Sequence, residues 1–155
     1  MKYRLLSKEE QVGFEEEFIR YLAVNGIDAP LWEEMKTTQK DKANAIFESF
    51  SDFIFEQILN KIQYLEYFNG KNLMVFKCDP EVISLIWLES DDQYASIREM
   101  LDCLQTNTGR FKISKEEKVY HPDRNSELFK MAESGVKITD NQLYELLQGL
   151  VDNSK

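Results

Sequence analysis

A chain of 155 residues, 43% hydrophobic and 30% charged, is long enough to bury a core without disulfides or a structural metal and too apolar to stay disordered. Its 28 acidic against 19 basic residues give a net charge of -9, which repels phosphate backbones and anionic bilayers and argues against nucleic acid or a membrane as partner. Met1–Leu6 lacks the apolar run of a signal peptide, no stretch reaches the ~20 apolar residues of a membrane span, and Cys78 and Cys103 fit no paired metal or redox spacing. The expectation is one cytoplasmic domain with reduced thiols and no cofactor.

Ser7, followed three residues later by Glu10, makes a capping box that predicts a helix from Lys8 to about Val24. Phe14, Phe18, Tyr21 and Leu22 form its inward stripe, Glu9, Glu10, Glu15, Glu16 and Glu17 read as a solvated face, and Asn25-Gly26 closes it. Asp28 is placed to cap a short helix with Pro30 in its first turn and Leu31, Trp32 and Met35 inward, followed by a polar linker from Lys36 to Lys40.

From Asp41 to Asn69 there is no Gly or Pro, and Phe47, Phe50, Ile54, Ile58, Ile62 and Leu65 recur at steps of three and four. This predicts one helix about 40 Å long that the rest of the chain wraps. Asn44, Glu48, Ser51 and Asp52 face outward, the middle is covered from several directions, and Asn69-Gly70 provides the stop.

Beyond Gly70 the period changes. Leu73–Cys78 and Val82–Leu88 are short, rich in Val, Ile, Phe and Trp, and separated by Asp79-Pro80-Glu81, which predicts a hairpin whose second run is an inner strand or is covered on both faces. Ser90, Asp91 and Asp92 read as the cap of a helix from about Gln93 to Leu104, with Ile97, Met100, Leu101 and Leu104 inward. Arg110–Ser114 and Lys118–Tyr120 suggest a third, weaker strand region. A helical pair follows, Asn125–Glu133 and Asp140–Leu150, separated by Gly135; the second opens on a Thr139/Gln142 capping box with Ile138 stapled to Leu143. The expected fold is α+β and mainly helical: a long central helix packed by other helices, plus a small antiparallel hairpin or sheet. Within a single domain the helical layer spans 7–69, the hairpin 72–88 and the C-terminal helices 93–150.

Taken together, Met1–Ser7, Asn60–Glu66 and Phe76–Cys78 resemble a group of small bacterial proteins that form a family of unknown function. That resemblance implies a bacterial cytoplasmic protein and brings no activity or ligand with it. Locally, Tyr120-His121-Pro122-Asp123-Arg124-Asn125 is similar to the loop by which J-domain co-chaperones engage an Hsp70-type ATPase, a loop that joins two antiparallel helices behind a basic one. Here Phe111–Val119 fits strand alternation and Gly135 interrupts the following helix, so the residues themselves read as a turn bent by proline.

Three functions stay open. Ten Phe and seven Tyr are a large apolar supply. Tyr64, Tyr67 and Phe68 near the end of the central helix, with His121 and Asp123, form a candidate surface for a protein partner of basic charge or for a second copy. The second is a J-domain-like co-chaperone acting through His121-Pro122-Asp123. The third is an enzyme or metal-binding protein built on His121, the single histidine, with Asp123, Glu89, Asp91 and Asp92. Capping and exposure account for Asp91 and Asp92 more simply. Asp79 beside Cys78 raises that thiol's pKa, Cys103 reads as core, and the six scattered glycines make no phosphate loop. No catalytic, cofactor or metal residue is assigned, and a non-catalytic interaction or regulatory module is the preferred reading.

Overall fold

The hydroxyl of Ser7 accepts the Glu10 N–H at 3.2 Å while the Glu10 carboxylate accepts the Ser7 N–H at 2.8 Å, so the capping box forms as the sequence predicts. In the computed structural model, which describes residues 1–153, the elements in chain order are α1 (Lys8–Gly13), α2 (Glu15–Val24), α3 (Ala29–Thr38), α4 (Lys40–Lys61), β1 (Tyr64–Phe68), β2 (Asn72–Cys78), β3 (Val82–Ser90), α5 (Ile97–Thr106), β4 (Phe111–Val119), α6 (Arg124–Glu133), β5 (Lys137–Thr139) and α7 (Gln142–Asn153). A single 3-10 turn, Thr108–Arg110, precedes β4. By its contacts the chain divides into two compact units, Met1–Asn60 and the segment from Lys61 onward.

In the first unit, the helix expected to run from Lys8 to Val24 is broken in two. Phe14 leaves helical geometry at φ -113°, ψ 21° directly after Gly13, the poorest helix former of the segment after proline is set aside. The break gives the acidic run a local role. Glu15, Glu16 and Glu17 occupy the first turn of α2, where carboxylates offset the positive end of the helix dipole. Asp28 caps α3 by accepting the Leu31 N–H at 2.9 Å, as expected, but Leu31 itself is exposed and only Met35 is buried. The predicted linker after Lys36 is helical to Thr38, leaving Gln39 alone between α3 and α4.

α4 buries Ala43, Phe50, Ser51, Ile54, Phe55 and Leu59. Phe18 of α2 meets Phe50 at a ring separation of 4.8 Å, and Tyr21 meets it at 5.3 Å. Ser51 and Asp52, expected to face water, instead hold the chain start. The Asp52 carboxylate accepts the backbone N–H groups of Lys2 at 2.6 Å and Tyr3 at 3.0 Å, and the buried Ser51 hydroxyl accepts the Leu6 N–H at 3.2 Å and donates to the Phe47 carbonyl at 2.9 Å. Tyr3 donates to Glu56, which also pairs with Lys2 at 2.9 Å, and the Arg4 guanidinium lies 4.8 Å from the centre of the Phe55 ring. The backbone N–H groups of Lys2, Tyr3 and Leu6 thus find acceptors on α4 side chains, which for the buried Leu6 offsets the loss of water.

Arg4 then grips Glu10 with both guanidinium nitrogens, at 2.7 and 3.1 Å. That grip, together with the Ser7 N–H, holds the Glu10 carboxyl at about 2. A carboxyl lowered in the folded state stabilises fully above its unfolded value of about 4.5 and loses that contribution as pH falls toward 2. Chemical denaturation of the wild type and Glu10→Gln is therefore expected to show a stability difference at neutral pH that shrinks steadily between pH 4.5 and 2; a difference independent of pH would show the carboxylate charge to be irrelevant.

The second unit corrects the expected length of the central helix. α4 ends at Lys61, and Tyr64–Phe68 is a strand rather than the helix's last turns. Aromatic residues suit a pleated, half-buried surface, and pairing on both sides, Leu65 with Phe76 of β2 and with Ile138 of β5, outweighs the local three-four spacing. Asn69-Gly70 therefore turns a hairpin instead of capping a helix. Gly70 takes φ +97°, and the Asn69 side chain accepts the Asn72 N–H at 2.8 Å.

The sheet order is β4-β3-β2-β1-β5, with every pairing antiparallel. The predicted hairpin is β2 and β3, and β3 is the inner strand its weak alternation implied. The two weak pieces expected around 110–120 are one nine-residue strand, β4. Leu73, Val75, Ile86 and Leu88 line one sheet face and form a core with Tyr94, with Met100 and Leu104 of α5, and with Tyr144 and Leu147 of α7.

α5 starts later than expected. Ser96, not Ser90, caps it by accepting the Glu99 N–H at 3.1 Å, while Ser90 ends β3 and accepts the Asp92 N–H at 3.1 Å. The helical pair at the end of the chain is present, but β5 lies between its members. Thr139 and Ile138 belong to that strand, so the expected box and staple do not start α7; the Asp140 carboxylate accepts the Gln142 N–H there, at 3.0 Å.

Candidate interaction surface

Because β1 is extended, its side chains alternate, and the aromatic patch expected on a helix is split. Tyr64 and Phe68 pack at the margin of the sheet core, with the Tyr64 ring 5.7 Å from that of Tyr144, and Tyr67 points to the opposite sheet face, half-buried. His121 and Asp123 are both exposed, in the turn from β4 into α6. The His121-Pro122 peptide is cis, the His121 N–H donates to Glu127 at 2.9 Å, and Asp123 caps α6 by accepting the Ser126 N–H at 2.9 Å and its hydroxyl at 2.9 Å. The element before the tripeptide is a strand, whereas the J-domain loop follows a helix. Of the carboxylates considered with His121, Glu89 lies 3.6 Å from Lys112 and Asp92 lies 2.9 Å from Arg110. Among the described residues no group of three or more His, Cys, Asp or Glu is arranged to hold a metal ion. Burial pushes the Cys78 thiol up to about 12, which keeps it from acting as a thiolate at neutral pH.

A different feature opens in the first unit. A groove of about 630 Å³ lies among α1, α2, α3 and α4, lined by Val12, Phe18, Trp32, Ala43, Phe47 and Phe50, with Lys8, Gln11, Glu15, Lys36 and Asn44 also bordering it. Phe18 is its hub. Its ring stands edge-on to Trp32 at 5.2 Å and to Phe47 at 5.9 Å, besides its contact with Phe50. Edge-to-face packing fixes these rings, so the apolar floor is preformed. Only Phe50 and Ala43 are buried; Phe18, Trp32 and Phe47 remain half-buried and Val12 is 75% exposed.

The charged residues bordering the groove are Glu15, Lys8 and Lys36. Glu15 lies in the first turn of α2, and Lys36 is paired with Glu33 at 2.9 Å. Apolar walls with few polar groups suit burial of apolar side chains from outside the unit.

Sequence reasoning placed Phe18, Trp32 and Phe47 correctly on inward faces but assigned them to a closed core. The break at Phe14, directly after Gly13, separates α1 from α2, and residues of both helices border the groove.

The architecture defines an α+β protein: a helical unit, then a five-stranded antiparallel sheet with α5 and α7 on one face. A family model described as a family of unknown function (DUF6495) matches residues 1–152, and the chain belongs to that family. Comparison with curated proteins and with solved structures gives no match. No helix among the described residues is long and apolar enough to cross a membrane.

Proposed function

We propose that this protein is a non-catalytic binding module whose groove in the helical unit receives an amphipathic helix from a basic protein partner. The observation that carries this reading is the rigid Phe18, Trp32 and Phe47 floor left open beside an acidic helix start. Apolar anchors spaced along one helical face would sit on the rings, and a Lys or Arg beside them would meet Glu15 at the groove's border. Each fully buried Leu- or Phe-sized anchor supplies about 1.5–3 kcal/mol, against an association cost of 4–15 kcal/mol, so several anchors and the charges are needed together.

The test uses synthetic helical peptides carrying a leucine stripe flanked by either lysine or glutamate, with binding read by fluorescence anisotropy. The lysine-flanked peptide is expected to bind, and Trp32→Ala to weaken it about tenfold or more, with Trp87→Phe, at the other tryptophan, neutral. Circular dichroism confirms that each variant is folded. Equal binding of both peptides, or no loss on Trp32→Ala, would remove the proposal.

A further inference from the structure

The sheet has a long unpaired side. β4 is nine residues, pairs among the described residues only with β3, and forms one end of the strand order. Lys115, Glu116, Glu117, Lys118 and Val119 are all exposed, Val119 by 72%, although a β-branched residue on a strand ordinarily packs. A strand edge of this length offers a row of N–H and C=O groups to another strand, and charged residues are the usual device that prevents pairing. Here the order of the charges does not prevent it.

We infer that β4 is a self-association surface, at which two copies of this chain pair β4 with β4, antiparallel and centred on Glu116, to give one sheet across both copies. This inference is independent of the groove. About a two-fold axis normal to the sheet, opposed residues share a face, so the centre must fall on a residue rather than between two. Centred on Glu116, Lys115 opposes Glu117 twice and Ile113 opposes Val119 twice, matching charge with charge and apolar with apolar along the face shared with α5 and α7.

Shifting the centre to Lys115 sets Lys115 against itself and Lys112 against Lys118, both repulsive. Shifting it to Ser114 puts Ile113 against Lys115 and Phe111 against Glu117. Shifting it to Glu117 puts Val119 against Lys115. The one like-charge pair in the favoured register, Glu116 with its own copy, lies diagonal to Lys118 of each strand, whose ammonium sits 2.7 Å from Glu127 of its own chain. Lys115 donates to Gln148 of α7 at 2.8 Å and lies 3.9 Å from Glu117 of its own strand, so pairing would place it between two carboxylates.

Sedimentation of the full chain across a concentration series is expected to show a reversible monomer–dimer equilibrium. Lys115→Glu or Glu117→Lys alone should weaken it at least tenfold, and the two changes together should restore it, because the opposed charges are then exchanged in register. Glu116→Cys should give a disulfide-linked dimer under mild oxidation, since residue 116 alone faces itself, and Lys115→Cys should not. A monomer at every concentration, or a dimer unaffected by the single charge changes, overturns the inference, and so does cross-linking at residue 115 in preference to 116.

Discussion

Phe50→Ala is expected to cost about 3–5 kcal/mol, the range for truncating a fully buried phenylalanine. Phe50 is 1% exposed, and the Phe18 and Tyr21 rings close on it from α2. Neither ring is free to collapse into the space left behind. Phe18 is held edge-on by Trp32 and Phe47, and Tyr21 also meets Phe53 at 5.7 Å, so the cavity persists and its surface is paid in full. Phe53 provides the comparison. It lies one turn along the same helix but is 42% exposed, and Phe53→Ala should cost about 1 kcal/mol. Denaturant titrations followed by circular dichroism measure both. Equal losses at the two positions would mean that α4 is not the axis on which the helical unit packs.

The legible parts of this fold are those whose cause lies within a few residues. Ser7 with Glu10, Asp28 three residues ahead of the donor it satisfies, and Asp79-Pro80-Glu81 between two β-rich runs each carry their own partner or turn chemistry. The spacing of Phe47, Phe50 and Ile54 is equally local, and the helix it predicts is there from Lys40 to Lys61.

The errors begin where a distant partner decides. Tyr64, Leu65, Tyr67 and Phe68 fit a helical stripe and an alternating strand equally well, and the choice is made by β2 and β5, the latter over seventy residues away. Asn-Gly after such a run is a good helix stop and a good hairpin turn, so it reinforced the wrong alternative. Ser51 and Asp52 looked like solvent-facing polar residues because nothing near them in sequence shows that the backbone of Lys2, Tyr3 and Leu6 needs acceptors. The surface expected around Tyr64, Tyr67 and Phe68 depended on that helical reading and divides once the segment is a strand. The groove around Phe18 was missed for a related reason: periodicity tells which residues turn inward, and not whether the inward space is filled.

Arg124 had no assigned role in the sequence, yet Arg124→Met is expected to cost about 2–4 kcal/mol. From the first turn of α6 its guanidinium donates to the Ile62 carbonyl and, at 3.2 Å, to the Cys78 carbonyl, joining the segment just before β1 to the last residue of β2. Ile62 and Cys78 are 2% and 5% exposed, so water is poorly placed to replace those bonds. Methionine keeps the apolar stem but leaves both acceptors without that donor, at about 1–3 kcal/mol each before relaxation. Arg124→Lys should recover only part of the loss, because both carbonyls accept from the single guanidinium nitrogen Nη2 while Nη1 donates to Asn125 at 3.0 Å, and a lysine ammonium cannot hold all three acceptors from the same place. The neighbouring Asp123→Ala removes only the cap of α6 and should cost about 1 kcal/mol. Thermal and denaturant unfolding of the three variants orders them as Arg124→Met, then Arg124→Lys, then Asp123→Ala. If Asp123→Ala proves the most damaging, the helix start and not the guanidinium bridge holds this end of the sheet.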